Sequence, residues 1–594
     1  MKTSPKKAFS DPQHLLLTSQ LVGLLSVKFH RSTLQVGQRL EELRTLFSND
    51  KFFLGADHSL AESPHGQVQV LDHQFDAGLD FLLTWALWQQ SQTALTSQLC
   101  YVAICEQPLP LDALKALHQE WPNLGSLSLQ LQTQYPVAIK GFHQLDFGNV
   151  KLILIQASPD EALAQLQGPF DVVLNGKKPQ QSTVYQPPWQ RPLSGVSCRS
   201  KVAVIGAGIS GVSTAYSLSK RGFEVTLIEQ GPTLASGASG NRQGMLYAKL
   251  PDNATIAGQF YQQGLQHSMG LLQRSLSPDF WQSCGLLQLA NNPKQVAQMQ
   301  GVMKRQYPPS WLQWLSQPQA EQLAQQPVCA GGLYFPNSGW VSPAHWCDAL
   351  YTQSGAYLWL NTRVLALQRT QSQNWQLELK GDRSGYYGFD AVVIANANGA
   401  KSLLSEHCVA LKSIRGQVSY VESPQSPALV VCGEGYVTPS QNHMFAVGAS
   451  YNLHTAGAEL SEQDHMGNLG RLSEVLPQHK ELGLNAIKGG RVGFRAVTPD
   501  YLPMVGQLAD ESLGLSRFAK LRQDANYKFT HDMPYVEGLY INAGHGSKGL
   551  ISAPLSAEIL ASSMANQSLP VAQCVAWALD PNRFFIRDLI RRKR

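Results

Sequence analysis

The chain has 594 residues, of which 43% are hydrophobic and 15% charged, and its formal net charge is +5. It is too long for a single core and too apolar to be disordered, so we expect two or three folded domains. The small basic excess permits an anionic partner without requiring one, and we expect the charged C-terminal stretch RDLIRRKR to be solvated.

Three features bear on the compartment. The N-terminal stretch HLLLTSQLVGLLSVKF is broken by polar residues and has no small-residue cleavage site, so it is not interpreted as a signal peptide. No apolar run approaches the ~18 residues of a membrane span. The nine cysteines include no CxxC pair, which argues against a zinc site and a disulfide framework. The sequence predicts a cytoplasmic protein with no metal and no membrane segment.

Residues 1–180 alternate between short apolar strands and helical segments. The predicted strands are VQVL, LCYVAICE, VKLILIQA and FDVVLN, and the predicted helices include LDALKALHQEW and PDEALAQL. This alternation is typical of an α/β domain with a parallel sheet. The turn after the first strand, DHQFDAG, has a single glycine, Gly78, and places Gln74 and Asp76 where a cofactor loop normally has two more.

A stretch rich in Pro, Gln and Ser, residues 181–200, predicts a linker. The sequence that follows, KVAVIGAGISGVSTAYSLSKRGFEVTLIEQ, places Gly206, Gly208 and Gly211 in GxGxxG spacing between a strand and a helix. A second strand ends at Glu229, 23 residues after Gly206. The glycines allow a tight turn, close approach of a pyrophosphate and helix–strand packing, and the acid binds ribose hydroxyls. The arrangement predicts a dinucleotide site.

Two further segments favour FAD over NAD. The small-residue loop LASGASGNRQGML, residues 234–246, brings backbone close to a flavin, and INAGHGSKGLISAPL predicts a late strand, a Gly-rich turn and a helix N-terminus beside the reduced ring. The predicted cofactor-binding residues are Gly206, Ala207, Gly208, Ile209, Ser210, Gly211, Glu229, Gln230, Ser239, Gly240, Asn241, Arg242, Gln243, Gly244, Gly546, Ser547, Lys548, Gly549 and Leu550.

Several separated motifs between residues 200 and 594 make the chain recognisable. They are VAVIGAGISGVSTAYSLSKRGFEVTLIE, ASGASGNRQGMLYAKL, GGLYFPNSGWVSP, GYVTP, AVGASY, GFRAVTPDYLPMVG and INAGHGSKGLISAPLSAEILA. This part resembles the FAD-dependent half of the bifunctional tRNA 5-methylaminomethyl-2-thiouridine biosynthesis proteins (MnmC), within the D-amino-acid and glycine oxidase superfamily. The resemblance implies oxidation of the carboxymethylaminomethyl group on a tRNA wobble uridine, which releases glyoxylate.

The reaction requires a group that fixes the substrate carboxylate, and arginine does this best through a bidentate fork. Arg491 and Arg495 are candidates, and Arg495 matches the position at which the superfamily often places this arginine. Tyr436 is a candidate pocket residue, with a purely structural role as the alternative. Lys548 is a candidate for oxygen activation or for stabilising the reduced flavin.

The N-terminal half of the family is an S-adenosylmethionine-dependent methyltransferase, which residues 45–180 resemble in part. TLFSNDKFFLG matches the entry segment, and Glu106 stands where the ribose-binding acid belongs. Gln74 and Asp76 replace glycines of an ESGFGTG-type loop, Asn175 replaces the acid near the reacting amine, and the linker follows at once. An amide cannot act as a general base, so we expect methyl transfer to be lost and S-adenosylmethionine binding to be doubtful.

The predicted architecture is a Rossmann-like FAD-binding domain with an inserted α+β substrate domain over residues 201–594. A degenerate, truncated methyltransferase-type α/β domain precedes it over residues 1–180. Two other functions remain open from sequence: a small-molecule glycine or amine oxidase without an RNA partner, and a fully bifunctional enzyme that also transfers methyl groups.

Overall fold

The computed structural model describes residues 33–49, 67–91, 97–179, 185–191, 200–453 and 457–593. The chain divides into two compact units. Unit 1 comprises Met1–Ala164 and Phe170–Pro179, and unit 2 comprises Gln165–Pro169 and Gln180–Arg594. The apolar N-terminal stretch, most of TLFSNDKFFLG and most of the predicted linker lie outside the described residues.

Unit 1 contains a five-stranded sheet. Its strands are β1 (Gln67–Asp72), β2 (Gln98–Ile104), β3 (Gly141–Asp146), β4 (Val150–Gln156) and β5 (Val172–Leu174). The strand order is β3-β4-β2-β1-β5, and all neighbours are parallel except β3 and β4. The four predicted strands therefore form the parallel part, and β3 is an antiparallel edge strand that the sequence analysis missed. At the other edge, β5 has only three residues.

The helices of unit 1 enclose this sheet in an apolar core. They are α1 (Thr33–Asn49), α2 (Leu79–Gln90), α3 (Leu111–His118), α4 (Gly125–Gln134) and α5 (Pro159–Gln165), the last of which ends at the first residue of unit 2. β1 and β4 are buried along their whole length, as expected for strands covered on both faces. α2 starts directly after Gly78, which has a φ of 81° and so adopts a left-handed conformation that glycine tolerates.

Unit 2 contains the remaining strands and helices of the described chain. The strands are β6 (Lys201–Ile205), β7 (Glu224–Ile228), β8 (Gly244–Leu246), β9 (Trp281–Gln282), β10 (Leu286–Leu289), β11 (Gln313–Leu315), β12 (Gly332–Phe335), β13 (Gly339–Val341), β14 (Tyr357–Trp359), β15 (Thr362–Arg369), β16 (Trp375–Gly381), β17 (Gly385–Phe389), β18 (Ala391–Ile394), β19 (Lys412–Glu422), β20 (Val430–Cys432), β21 (Tyr436–Val437), β22 (Met444–Gly448), β23 (Ile487–Val497), β24 (Met504–Ala509) and β25 (Tyr535–Ala543). The helices are α6 (Ile209–Ser219), α7 (Ile256–Ser275), α8 (Pro293–Met303), α9 (Gln317–Ala324), α10 (Pro343–Ser354), α11 (Ala400–Leu403), α12 (Glu462–Val475), α13 (Glu511–Arg517), α14 (Gly549–Met564), α15 (Gln573–Leu579) and α16 (Arg583–Ile590).

The nucleotide-binding part of unit 2 is a six-stranded sheet of order β14-β7-β6-β18-β25-β24. All neighbours are parallel except β24 and β25. β25 begins 330 residues after the end of β6, and only β18 separates the two strands in the sheet, so the late return of the chain to the nucleotide fold is confirmed. α6 and α14 pack against each other beside this sheet.

The inserted part of unit 2 is an eight-stranded sheet of order β11-β12-β10-β20-β21-β22-β19-β23. Two three-stranded sheets, β8-β13-β9 and β15-β16-β17, complete the unit. The α/β architecture with an inserted α+β part agrees with the predicted fold class. Over the part of the chain that the structure describes, no helix combines the length and apolar character needed to cross a bilayer.

Candidate active site

The glycine loop at the start of α6 has no room for side chains. Gly206 has a φ of 100°, and a Cβ there would lie 2.7 Å from Asn396 Cα. A Cβ on Gly211 would lie 1.7 Å from the carbonyl oxygen of Gly206, because helix and loop touch at this point. The Ile209 N–H donates to Ser239 Oγ at 3.0 Å, which ties the small-residue loop to the helix N-terminus. The backbone is therefore open to a close ligand.

Glu229 ends β7 beside this loop and is held by the backbone. Its Oε2 accepts a hydrogen bond from Ala207 N–H, and its Oε1 accepts one from Gly231 N–H, both at 2.8 Å. Each carboxylate oxygen has a second lone pair. The carboxylate is thus oriented to accept hydrogen bonds from ribose hydroxyls.

A cavity of about 800 Å³ extends from the glycine loop into the eight-stranded sheet. Most of the residues predicted to bind cofactor line it, namely Gly206, Gly208, Ile209, Ser210, Glu229, Gln230, Ser239, Asn241, Gly244, Gly546, Ser547, Gly549 and Leu550. Arg495 and Tyr436 line the same cavity. Ala207, Gly211, Gly240, Arg242, Gln243 and Lys548 are not part of its lining.

Another part of the cavity lining is the turn between β25 and α14. Gly544 and Gly546 have φ values of 91° and 58°, which only glycine adopts readily. His545 is anchored on both ring nitrogens: Nδ1 lies 2.9 Å from Ser552 Oγ, and Nε2 lies 3.1 Å from Asn542 Oδ1. Burial lowers the pKa of His545 to about 3, so the ring is neutral. His545 therefore holds the turn in place and does not exchange protons near neutral pH.

Asn396 bears on whether the cavity can hold a dinucleotide. This residue follows β18, lines the cavity and was not singled out from sequence. Its side-chain Oδ1 is buried and has no hydrogen-bond partner among the described residues. A buried acceptor without a donor is costly, so a ligand hydroxyl or amine is expected to satisfy it. The open glycine loop, the oriented Glu229 and this acceptor together fit FAD.

One row of residues across the eight-stranded sheet forms the opposite wall. Cross-strand pairing aligns Gln288, Cys432, Tyr436, Gly448, Val418 and Arg491, on six successive strands from β10 to β23. Directly paired residues share a face of the sheet. All but Arg491 line the cavity. This wall is the part of the site that can contact a substrate.

Arg495 lies on the same face of β23, four residues beyond Arg491. Its Nη1 donates to the Ser450 carbonyl oxygen at 3.2 Å, and no acid among the described residues pairs with it. The pKa of Arg495 is lower than usual, because the effect of burial outweighs the opposite effect of the nearby Tyr436 and Tyr451. A partly desolvated guanidinium without an acid is suited to bind a substrate carboxylate.

The guanidinium of Arg495 occupies the space above Gly416 on the neighbouring strand β19. A Cβ on Gly416 would lie 2.1 Å from Arg495 Nη1 and 2.5 Å from Cζ. Because the obstacle is the end of a flexible side chain, an added methyl group would move the arginine and leave the backbone in place. Gly416 therefore positions Arg495, a role that sequence reasoning missed because it depends on strand pairing.

We expect Gly416→Ala to keep bound flavin and to raise the KM for the substrate by about 10- to 100-fold, the equivalent of a lost charge-assisted hydrogen bond. Steady-state kinetics over a range of substrate concentrations measure this. Gly388→Ala is the matched control, since a Cβ at Gly388 meets no atom within 4 Å. An unchanged KM in Gly416→Ala would show that the arginine does not need this space.

Two other arginines that were considered from sequence have different partners. Arg491 Nη2 donates to the carbonyl oxygens of Ser236 and Gly237 at 2.7 and 3.0 Å, so it clamps the small-residue loop and is not the carboxylate anchor. A Cβ on Gly240 would strike its guanidinium at 2.2 Å. Arg242 stacks on the Tyr420 ring, 4.8 Å from its centroid, and is exposed. Arg242 is not part of the cavity lining, and its predicted flavin contact remains a prediction.

Gln243, also predicted to bind cofactor, is engaged within the protein. Its side chain is buried, donates to the Pro439 carbonyl oxygen at 3.0 Å and accepts from Thr438 Oγ1 at 2.7 Å. The amide thus joins the small-residue loop to the GYVTP segment and does not reach the cavity. Tyr436, in that segment, does line it, and burial raises the pKa of Tyr436 well above its ordinary value. Its hydroxyl is therefore neutral.

The predicted chemical role of Lys548 remains a prediction. Its Nζ lies 3.8 Å from the centroid of the Tyr261 ring. Burial, together with the charge of Lys249, lowers the pKa of Lys548 to about 8. Lys249, in the YAKL segment, is the lysine that lines the cavity. It escaped sequence reasoning because a lone lysine in an apolar stretch carries no spacing signal.

Asn175 in unit 1 belongs to a network of side-chain hydrogen bonds. Asn175 Nδ2 donates to Asp72 Oδ1 at 2.8 Å and to Asp80 Oδ2 at 2.9 Å. Arg39 binds both carboxylate oxygens of Asp80, at 2.9 and 2.7 Å, and Tyr101 donates to Asp72 at 2.7 Å. Burial raises the pKa of Asp72 to about 6. Asn175 thus has its polar atoms engaged within the protein.

The loop after β1 is closed on itself. Gln74 Nε2 donates to both carboxylate oxygens of Asp76, at 3.0 and 3.1 Å. Asp76 has a φ of 48°, a left-handed conformation that a glycine would adopt more readily. Glu106 is exposed just beyond the end of β2. The side chains at the two positions where a cofactor loop has glycines thus bond to each other.

No group of His, Cys, Asp and Glu side chains suited to a metal ion occurs within the described ranges. The eight cysteines that can be described are free thiols. The charged side chains that line the cavity are Glu229, Lys249, Arg363, Glu434 and Arg495.

Comparison with known proteins defines the class of this site. Residues 201–563 match the family model described as FAD dependent oxidoreductase. Unit 2 is therefore an FAD-dependent oxidoreductase, as its glycine loop, Glu229 and late strand indicate. Two solved structures share this fold. Glycine oxidase from Geobacillus kaustophilus is 23% identical with a TM-score of 0.50, over 62% of this chain and 95% of that one. L-proline dehydrogenase from P. horikoshii is 18% identical with a TM-score of 0.52, over 65% and 98%.

Curated relatives extend the match through both units. The tRNA 5-methylaminomethyl-2-thiouridine biosynthesis bifunctional protein MnmC of Pseudomonas fluorescens is 33% identical over 93% of this chain and 95% of its own length. The protein of the same name from Pseudomonas putida is 32% identical over 94% and 96%. The chain belongs to the MnmC family, which confirms the resemblance drawn from sequence.

Proposed function

We propose that this protein removes the carboxymethyl group from 5-carboxymethylaminomethyluridine, with or without 2-thiolation, at the wobble position of tRNA. The products are 5-aminomethyluridine and glyoxylate. Arg495 is the observation that carries the proposal, because a partly buried arginine without an acid partner lines the same cavity as the FAD glycine loop. The relatives are named for biosynthesis of a modified tRNA uridine, which supports tRNA as the substrate.

In this proposal each residue has a limited task. Arg495 binds the substrate carboxylate, and Gly416 leaves the space for its guanidinium. The neutral Tyr436 beside Arg495 lines the pocket around the carboxymethyl group. FAD, when bound, would accept a hydride, which carries two electrons, from the CH2 group while the amine nitrogen loses a proton, and water would hydrolyse the resulting C=N bond. Holding the CH2 group at a fixed position is the main contribution of the protein.

We expect the FAD-loaded enzyme to convert carboxymethylaminomethyluridine in tRNA to aminomethyluridine and to release one glyoxylate per nucleoside. Mass spectrometry of digested tRNA and a glyoxylate assay measure this. Free glycine serves as the comparison substrate. An arginine that binds a carboxylate does not by itself distinguish free glycine from the carboxymethylaminomethyl group of the tRNA nucleoside. Turnover of glycine with no change in the tRNA nucleoside would contradict the proposal and favour a small-molecule oxidase.

We further propose that unit 1 is a degenerate methyltransferase-like domain that no longer transfers methyl groups. The amide of Asn175 donates to Asp72 and Asp80 and accepts from Arg39, and an amide is not basic enough to abstract a proton. The carboxylate of Asp76 would repel that of S-adenosylmethionine. The free cysteines agree with the cytoplasm, where we place the enzyme together with its tRNA substrate.

Calorimetric titration of the holoenzyme with S-adenosylmethionine should show no binding in the micromolar range. The double variant Gln74→Gly, Asp76→Gly removes both side chains from the loop and should bind more tightly than the unsubstituted protein. Micromolar binding by the unsubstituted protein, or methylated uridine in the tRNA assay when S-adenosylmethionine is added, would establish a bifunctional enzyme.

A further inference from the structure

The C-terminal end of unit 2 is a small substructure with its own apolar cluster. α13, the short helical turn Ala519–Arg522 and α16 meet around this cluster. Its buried members are Ala509, Phe518, Leu521, Phe529, Met533, Phe585, Ile586 and Leu589. The packing fixes the positions of the polar residues that these elements carry on their outer sides.

The basic residues after α16 are exposed, and hydrogen bonds attach them to the rest of the substructure. Arg592 N–H donates to the Leu589 carbonyl oxygen at 2.9 Å, and Lys593 N–H donates to that of Asp588 at 2.9 Å. With Arg592 at a φ of 55°, this is a Schellman cap formed without glycine. Arg592 Nε also donates to the Arg522 carbonyl oxygen at 2.8 Å. The end of the chain is thereby attached to the Ala519–Arg522 turn.

Seven cations gather on this substructure, and we call them the C-terminal basic surface. They are Arg517, Lys520, Arg522, Lys528, Arg591, Arg592 and Lys593. Six of them, all except Arg522, are exposed and make no ion pair with any acid in the described parts of the chain. The whole chain has a net charge of +5, so seven cations on one substructure are a local concentration of positive charge.

Nearby acids are already engaged. Asp588 pairs with Arg587 at 2.9 Å, Asp532 pairs with Arg191 at 2.5 Å, and the buried Glu511 accepts from the backbone N–H of Cys408. One further acid, Asp524, is exposed, and its Oδ1 accepts from the Asn526 N–H at 2.9 Å. It offsets one positive charge, so a positive excess remains on the surface. A surface of this kind attracts a polyanion.

Aromatic rings lie among these cations. Lys520 Nζ donates to Tyr527 Oη at 3.0 Å and lies 4.4 Å from the centroid of that ring. Lys528 Nζ lies 5.6 Å from the centroid of the Tyr185 ring. Cations mixed with exposed rings favour RNA, which offers both phosphates and base faces.

We infer that the C-terminal basic surface binds the phosphodiester backbone of the tRNA. The inference rests on the proposed function, since it adds a docking surface outside the catalytic cavity. Its cations contact phosphates and so contribute affinity without sequence preference. The surface would hold the body of the tRNA, whereas the cavity selects the modified nucleoside.

The test measures binding of an unmodified tRNA transcript to the FAD-loaded full-length protein over a series of salt concentrations. The first triple variant removes three charges from the surface and carries Arg591→Gln, Arg592→Gln and Lys593→Gln. The matched control is a second triple variant that removes three exposed lysines elsewhere in unit 2, with Lys304→Gln, Lys380→Gln and Lys480→Gln. We expect the first variant to bind about tenfold or more weakly and to lower the slope of log K against log salt by about 2, while the control stays close to the unsubstituted protein.

Equal affinities and salt slopes in the two triple variants would overturn the inference. Because an unmodified transcript is used, this result does not depend on catalysis. Loss of binding in Lys520→Gln, Lys528→Gln, on the other side of the surface, provides an independent confirmation. Failure of the proposed function is recognised separately, as unchanged nucleosides in modified tRNA incubated with the unsubstituted enzyme.

Discussion

Replacing Arg495 with alanine should leave the flavin bound and reduce kcat/KM by about 10²- to 10³-fold, because the substrate carboxylate loses a bidentate charge-assisted partner. The loss includes catalysis as well as binding, since a CH2 group that is not anchored at its carboxylate is no longer held over the reacting ring. The flavin absorbance spectrum reports cofactor content, and anaerobic reduction by the tRNA substrate reports chemistry.

Arg383→Ala is a suitable control for this experiment, because Arg383 is an exposed arginine that stacks on Trp359 outside the cavity. Arg495→Lys adds a finer comparison: it keeps the charge but lacks the planar fork, so partial recovery is expected. Normal turnover by Arg495→Ala would remove this residue from the site and leave Lys249 and Arg363 as the other cavity-lining cations to test.

Replacing Gly211 with alanine should yield protein that has lost most of its flavin. The added Cβ would lie 1.7 Å from the Gly206 carbonyl oxygen, a backbone atom that cannot move aside as a side chain does. Either α6 or the glycine loop must shift, and overpacking of this kind costs about 1–3 kcal/mol or more. The ratio of flavin to protein absorbance in purified enzyme measures the effect.

Gly470→Ala is the matched control, because a Cβ on Gly470 in α12 meets open space. It should retain a full complement of flavin. If Gly211→Ala bound as much flavin as this control and the unsubstituted protein, the contact between α6 and the loop would not govern cofactor binding.

The predictable part of the molecule is the part encoded locally. Gly206, Gly208, Gly211 and Glu229 lie within 24 residues, and each has a role fixed by its place between strand and helix. The same is true of the turn at Gly544 and Gly546. For such segments the spacing in sequence already specifies the geometry in space.

The row of residues across the eight-stranded sheet could not be predicted from spacing in sequence. Gln288, Cys432 and Tyr436 come from separate strands, and only their pairing places them in one row. Gly416 and Asn396 are ordinary residues in sequence, and their importance depends on what lies opposite them. β3 was missed because GFHQLD has no clear alternation of apolar and polar residues. Tertiary contacts decide all of these positions.

The pairing between β19 and β23 also limits how this family can change in length. Neighbouring residues of a strand point to opposite faces, so inserting one residue between Arg491 and Arg495 would turn the guanidinium away from the cavity. The glycine loop would be unaffected, and the result would be a yellow protein unable to fix its substrate. Insertions and deletions between relatives should therefore be confined to loops, while the spacing inside these two strands stays constant.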